Sequence, residues 1–177
     1  MGFLLQAKDG GKGDPALSGI IARGMTLYTR LDEQHAFRNQ PALHGEVAAF
    51  YALASAAEHR RHRNSQPEAA AKALDKALPR YTGGNLSQLQ LAQGLLAREV
   101  GDHDAAAIAF LQARQGATNP QLQRPLLAAA FDEAAHTSPL VKSEIKAVWN
   151  DQVSRAAKQH WPDPEFKTFV ESYIGVM

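Results

Sequence analysis

The sequence contains no cysteine. That removes disulfides, thiolate metal sites and cysteine nucleophiles together, and it leaves the redox compartment open. An excess of charge is missing as well. Nineteen Lys and Arg against eighteen Asp and Glu leave a formal charge of +1, so no global field draws the chain onto nucleic acid or an anionic membrane, and a nucleic-acid partner is not expected. Long apolar runs are absent. The stretch Val47 to Ala54 falls far short of the roughly 20 residues that span a bilayer, so membrane insertion is not expected either. Met1 to Leu5 has neither the basic start nor the apolar core of a signal peptide, which makes the cytoplasm the default compartment for the chain as written. No window alternates apolar and polar residues as a half-buried strand does.

What is present reads as helix. Hydrophobic residues make up 45% of the 177 and charged residues 21%, values that suit a packed domain rather than a disordered chain or a coiled-coil rod. Residues 1–13, with Gly10-Gly11-Lys12-Gly13, read as a flexible leader, and residues 14–177 as one helical domain. A polar residue followed by proline recurs at Asp14-Pro15, Gln40-Pro41, Gln66-Pro67, Asn119-Pro120, Ser138-Pro139 and Asp163-Pro164. Proline suits a first helical turn, because its missing N–H would be unpaired there, and Ser, Asn and Asp are good N-caps. Ala, Leu, Glu, Gln, Lys and Arg fill the stretches between, with apolar residues three and four apart. The expected helices run roughly over 15–32, 41–62, 67–79, 86–100, 103–116, 121–135, 139–159 and 164–174. Pro125 is expected to delay the sixth to about Arg124, with 119–123 as a turn. Short connections such as Gly101-Asp102 predict antiparallel neighbours. The fold class is therefore all-α, about eight helices in stacked hairpins.

Residues 88–113 carry the most specific pattern. Gly94 is a small residue in one helix, Gly101-Asp102 is a tight turn, and Ala106, Phe110 and Ala113 form a small–aromatic–small series on one face of the next. Residues 68–77 match residues 104–113 at an offset of 104 − 68 = 36. The pattern resembles a tetratricopeptide repeat, whose period is about 34 residues. Gln90, Gln93 and Ala97 stand where that family usually has tryptophan, leucine and tyrosine. The resemblance implies an α-solenoid with a concave groove, a protein or peptide partner rather than a reaction, C-terminal capping helices, and no cofactor. In such arrays the first helices of the hairpins line the groove, which makes Gln88, Leu91, Leu95 and Arg98 the expected protein-binding residues while Gly94 touches the paired helix. Leu91 to Asp102, followed by Asn119 to Leu127 and Phe131, is also similar to the N-terminal helical domains of bacterial outer-membrane surface-lipoprotein assembly proteins. That similarity implies a periplasmic domain preceding a β-barrel, and so a piece of a longer protein.

Other chemistry is outweighed by simpler readings. Glu58, His59 and His62 share about one helical turn, but the run His59-Arg60-Arg61-His62-Arg63 opposes a cation and suits a helix C-terminus, so no metal is expected. The same run lacks the interleaved aromatics of a nucleic-acid contact. Gly10 to Gly13 lacks the spacing of a phosphate-binding loop. Asp102-His103-Asp104 is expected to cap a helix rather than to catalyse, and no serine sits in a nucleophile elbow; a triad can also be assembled from distant residues, so a small all-α enzyme stays the alternative reading. Phe166, Phe169 and Tyr173 form a stripe expected to bury itself against the end of the stack.

Overall fold

A computed structural model describes residues 15–62, 67–158 and 164–177; the expected leader at 1–13 lies outside them. Among the described residues the protein is all-α, with eight α-helices, one turn of 3-10 helix and no strand. The helices are α1 (Pro15–Glu33), α2 (Pro41–His62), α3 (Pro67–Ala77), α4 (Leu86–Val100), α5 (His103–Gly116), α6 (Pro120–Glu133), α7 (Pro139–Lys158) and α8 (Pro164–Glu171), with the 3-10 turn Leu78–Arg80 after α3. Proline opens six of the eight, as the missing-donor argument requires.

Pro125 behaves differently from the expectation. It lies inside α6, which begins at Pro120 rather than near Arg124. The five-residue lead-in survives because the residues beyond the proline are held by packing: Leu126, Leu127, Ala129, Ala130 and Phe131 are all buried. Tertiary contact, more than propensity, keeps a helix formed.

The strongest packing is between α4 and α5, then α5 against α6, while α2 lies against both α3 and α4. Alanine makes the closeness possible. Ala48, Ala52 and Ala56 of α2 and Ala70, Ala73 and Ala77 of α3 are buried, and a methyl side chain lets helix axes approach. At the α4–α5 crossing, Ala106, Phe110 and Ala113 are fully buried, and a Cβ built on Gly94 would lie 2.6 Å from the Phe110 ring. The expectation that Gly94 meets the paired helix holds for that reason. Ala70, Leu74 and Ala77, at the same 36-residue offset, are buried too.

The connections are built from local hydrogen bonds. Gly101 takes φ +81°, and its N–H and that of Asp102 close back on the Arg98 and Ala97 carbonyls at 3.1 and 2.9 Å. This is the double-bonded helix end that favours glycine. Asp102 then accepts a hydrogen bond from the Ala105 N–H at 3.1 Å, so it caps α5. Asp104 accepts one from the Ser138 N–H at 2.7 Å, tying α5 to the start of α7, and its hydrogen bonds to Ser138 hold its carboxyl below the usual carboxylate range.

A second apolar cluster joins Ala107, Leu127, Phe131, Ala134, Val141 and Ile145. Phe169 and Tyr173 of the C-terminal stripe pack on Phe131, with ring centroids 6.1 and 5.1 Å away. The Trp149 indole donates to the Val170 carbonyl at 2.9 Å, and Tyr173 donates to Asp132 at 2.7 Å. Burial and that carboxylate raise the Tyr173 pKa.

Candidate functional site

Of the four residues expected to face a groove, only Gln88 is exposed. Leu91 and Leu95 retain 3% of their surface and belong to the main core, which corrects the expectation that they contact a partner. The physical reason is crowding: α2, α3 and α5 all pack against α4, so its apolar side chains are consumed internally. Arg98 is consumed as well. Its guanidinium sits 4.7 Å over the Phe110 ring, donates to the Ala129 carbonyl at 2.8 Å and donates to Glu133. Glu133 also holds His103 at 2.6 Å, and the His103 and His136 rings lie 4.9 Å apart. Glu133 is 4% exposed. An arginine and a histidine around a buried carboxylate fix α4, α5 and α6 together, as the charge of Glu133 demands a partner once it leaves water.

Sequence reasoning missed a different place. The α1–α2 corner, the start of α2 and the end of α3 enclose a cleft of about 480 Å³, lined by Asp32, His35, Phe37, Arg38, Pro41, His44, Lys76 and Arg80. Its floor is aromatic. The Phe37 and His44 rings stack nearly parallel at 4.8 Å, and Tyr28 stacks on both, at 5.5 and 5.8 Å. Tyr28 and His44 hydrogen bond through the hydroxyl and Nε2 at 2.6 Å. Both are buried, so desolvation works against their charged forms: the His44 pKa is lowered, against the pull of Asp32, and the Tyr28 hydroxyl is pushed up to about 12. With the imidazole neutral, Tyr28 donates and Nε2 accepts.

The walls are polar. Asp32 accepts from the Lys76 ammonium at 2.5 Å and lies 3.8 Å from His44 Nε2. Arg38 enters from the corner, and Arg80 from the 3-10 turn one helical turn beyond Lys76. Both arginines are exposed, and neither has a carboxylate of the described residues within ion-pair distance. Three permanent cations therefore face one carboxylate, an excess of 3 − 1 = 2 on a chain whose total is +1.

The backbone at the lip is unusual. α1 ends with the His35 N–H bonded to the Asp32 carbonyl and the Ala36 N–H to the Leu31 carbonyl, both at 2.9 Å. This is the same double-bonded ending as at Gly101, yet the left-handed position, φ 58°, is held by His35. A residue with a Cβ is strained there, and such strain concentrates at functional sites.

Among the described residues no group of three or more His, Asp or Glu is arranged to hold a metal ion, and no helix is long and apolar enough to cross a membrane. Part of the His59 to Arg63 run lies outside the described residues. Compared with known protein families, curated proteins and solved structures, the chain matches none of them.

Proposed function

We propose that this protein is a non-enzymatic interaction module that receives a peptide segment of a partner protein, and that the α1–α2–α3 cleft, rather than the α4 surface, is where the segment enters. One observation carries the reading: the cleft has a concave surface with an aromatic floor and two arginines that have no carboxylate partner among the described residues. Its volume falls within the range of ligand-accepting clefts, about 300–1,000 Å³. Helical hairpins are a usual support for such surfaces. The Tyr28–His44 pair favours binding over catalysis, because both side chains are buried and bonded to each other. A nucleophile or general base needs an approaching substrate.

The reading is tested by placing a photo-reactive amino acid at His35 and, separately, at Gln88, followed by irradiation in cells of the native organism. The cleft position should give one dominant protein adduct, mapped to a single segment and reduced when Arg38 and Arg80 are both changed to Gln. A dominant adduct from Gln88, or none from either position, overturns it.

A further inference from the structure

We infer that the cleft recognises carboxylate side chains, so that the segment it receives is an acidic stretch of peptide. The inference rests on the peptide-receiving reading and adds the chemistry of the ligand.

Charge gives the first argument. Lys76 is already bound to Asp32, which leaves Arg38 and Arg80 as guanidinium groups with five donors each and no carboxylate of the described residues to receive them. Asp32, the one acid among the described lining residues, is thus committed, and the uncommitted charge of those residues is positive. A guanidinium pairs with a carboxylate through two parallel hydrogen bonds, a geometry an ammonium lacks.

Placement gives the second. Arg38 comes from the corner between α1 and α2 and Arg80 from the turn after α3, 42 residues apart in sequence (80 − 38) and on different elements that line one cleft. Two cations from separate elements suit more than one acidic side chain. Phe37 and Pro41 line the same cleft as the charged groups. The methylene stems of glutamate gain from that apolar surface, whereas a free inorganic ion gains nothing from it.

The third is electrostatic. The Tyr28 hydroxyl under the cleft is kept protonated by burial, so the floor contributes no negative charge near neutral pH, and the cationic rim acts over an aromatic base. Charges beside low-dielectric walls attract counter-charges more strongly than the same charges in open solvent. His35, held at the lip by a strained backbone, supplies a further ring nitrogen for hydrogen bonding.

The test is fluorescence anisotropy at low ionic strength, where surface attraction is least screened. The probe is a labelled hexaglutamate peptide with blocked ends, compared with hexaglutamine of the same length. The glutamate peptide should bind and the glutamine peptide should not. Arg38→Gln with Arg80→Gln should weaken binding by about three- to thirtyfold, while Arg38→Lys with Arg80→Lys should weaken it less, keeping the charge but losing the paired hydrogen bonds. Circular dichroism melts of the variants should overlay the parent, since both arginines are exposed. Equal binding of the two peptides, no binding of the glutamate peptide, or an unchanged affinity in the double glutamine variant overturns the inference. Displacement of the peptide by inorganic phosphate at equal concentration also overturns it, in favour of a free-anion site. A cross-link at His35 that persists while the glutamate peptide fails would leave the peptide reading standing and remove only the acidic ligand. Glutamate-peptide binding without any cross-link would do the reverse.

Discussion

Two helix ends in this molecule share one hydrogen-bond pattern and differ in a single residue type. After α4 the left-handed position is Gly101, the turn is tight, and α5 folds straight back to form the most closely packed pair of helices. After α1 the same position is His35, the chain takes seven residues (34–40) to reach α2, and a charged cleft opens beside it. The glycine corner serves packing, with Gly94 and Phe110 in contact behind it. At the histidine corner, a side chain is kept where its absence would relieve strain, and two of the three cations around it, Arg38 and Arg80, have no carboxylate partner among the described residues. The difference separates a stretch whose residues satisfy one another from a stretch whose residues face outward.

Substitutions in the two regions should therefore differ in size and in sign. The largest effect is expected at the packed crossing, where Phe110→Ala removes a fully buried ring and should cost about 3–5 kcal/mol in chemical denaturation. A cost below about 1 kcal/mol would mean that the crossing is loosely filled. Gly94→Leu should come next, at roughly 1–3 kcal/mol or more, because even a Cβ would press on the Phe110 ring. A melting temperature equal to the parent's would show that the helices are not in close contact at Gly94.

At the other corner the sign reverses. His35→Gly relieves a left-handed residue, worth about 1–2 kcal/mol, against roughly 0.5–1 kcal/mol of added chain entropy. The net is a stabilisation of about 0–1.5 kcal/mol, read as a higher denaturation midpoint, with weaker peptide binding. A lower midpoint would contradict the strain at this residue.

The smallest effect is a pH slope. His44 has a lower pKa folded than its ordinary 6.5, so the unfolded chain takes up the proton first. The stability this residue supports is present above pH 6.5 and falls as the pH drops through and below that value. Stability measured from pH 7.5 to 5.5 should decline in the parent and decline less in His44→Gln, which leaves an acceptor for Tyr28. Parallel curves would show that His44 does not titrate differently in the two states.

Much of the helical pattern was legible in the residues because its causes are local. Proline after a capping residue marks a helix start, Gly101 marks an end, and Ala106, Phe110 and Ala113 announce a buried face. The orientation of α4 was not legible from the repeat pattern, because a period of 3.6 shows that a stripe exists without showing how many neighbours cover the helix. One signal was available: Leu89, Leu91, Ala92, Leu95 and Leu96 span more of the circumference than a single stripe, which is the mark of a helix buried on several sides. The cleft was illegible for another reason. Asp32, Arg38 and Arg80 come from three segments that meet only through tertiary packing, and no glycine announced the left-handed turn at His35.

The most direct test of the account is to locate where an acidic peptide touches the protein. In ¹H–¹⁵N spectra titrated with blocked hexaglutamate, the shifts should concentrate at residues 32–44 and 76–81, with Gln88 to Arg98 unmoved. Shifts centred on Gln88 to Arg98, or spread evenly over every exposed lysine and arginine, would contradict it.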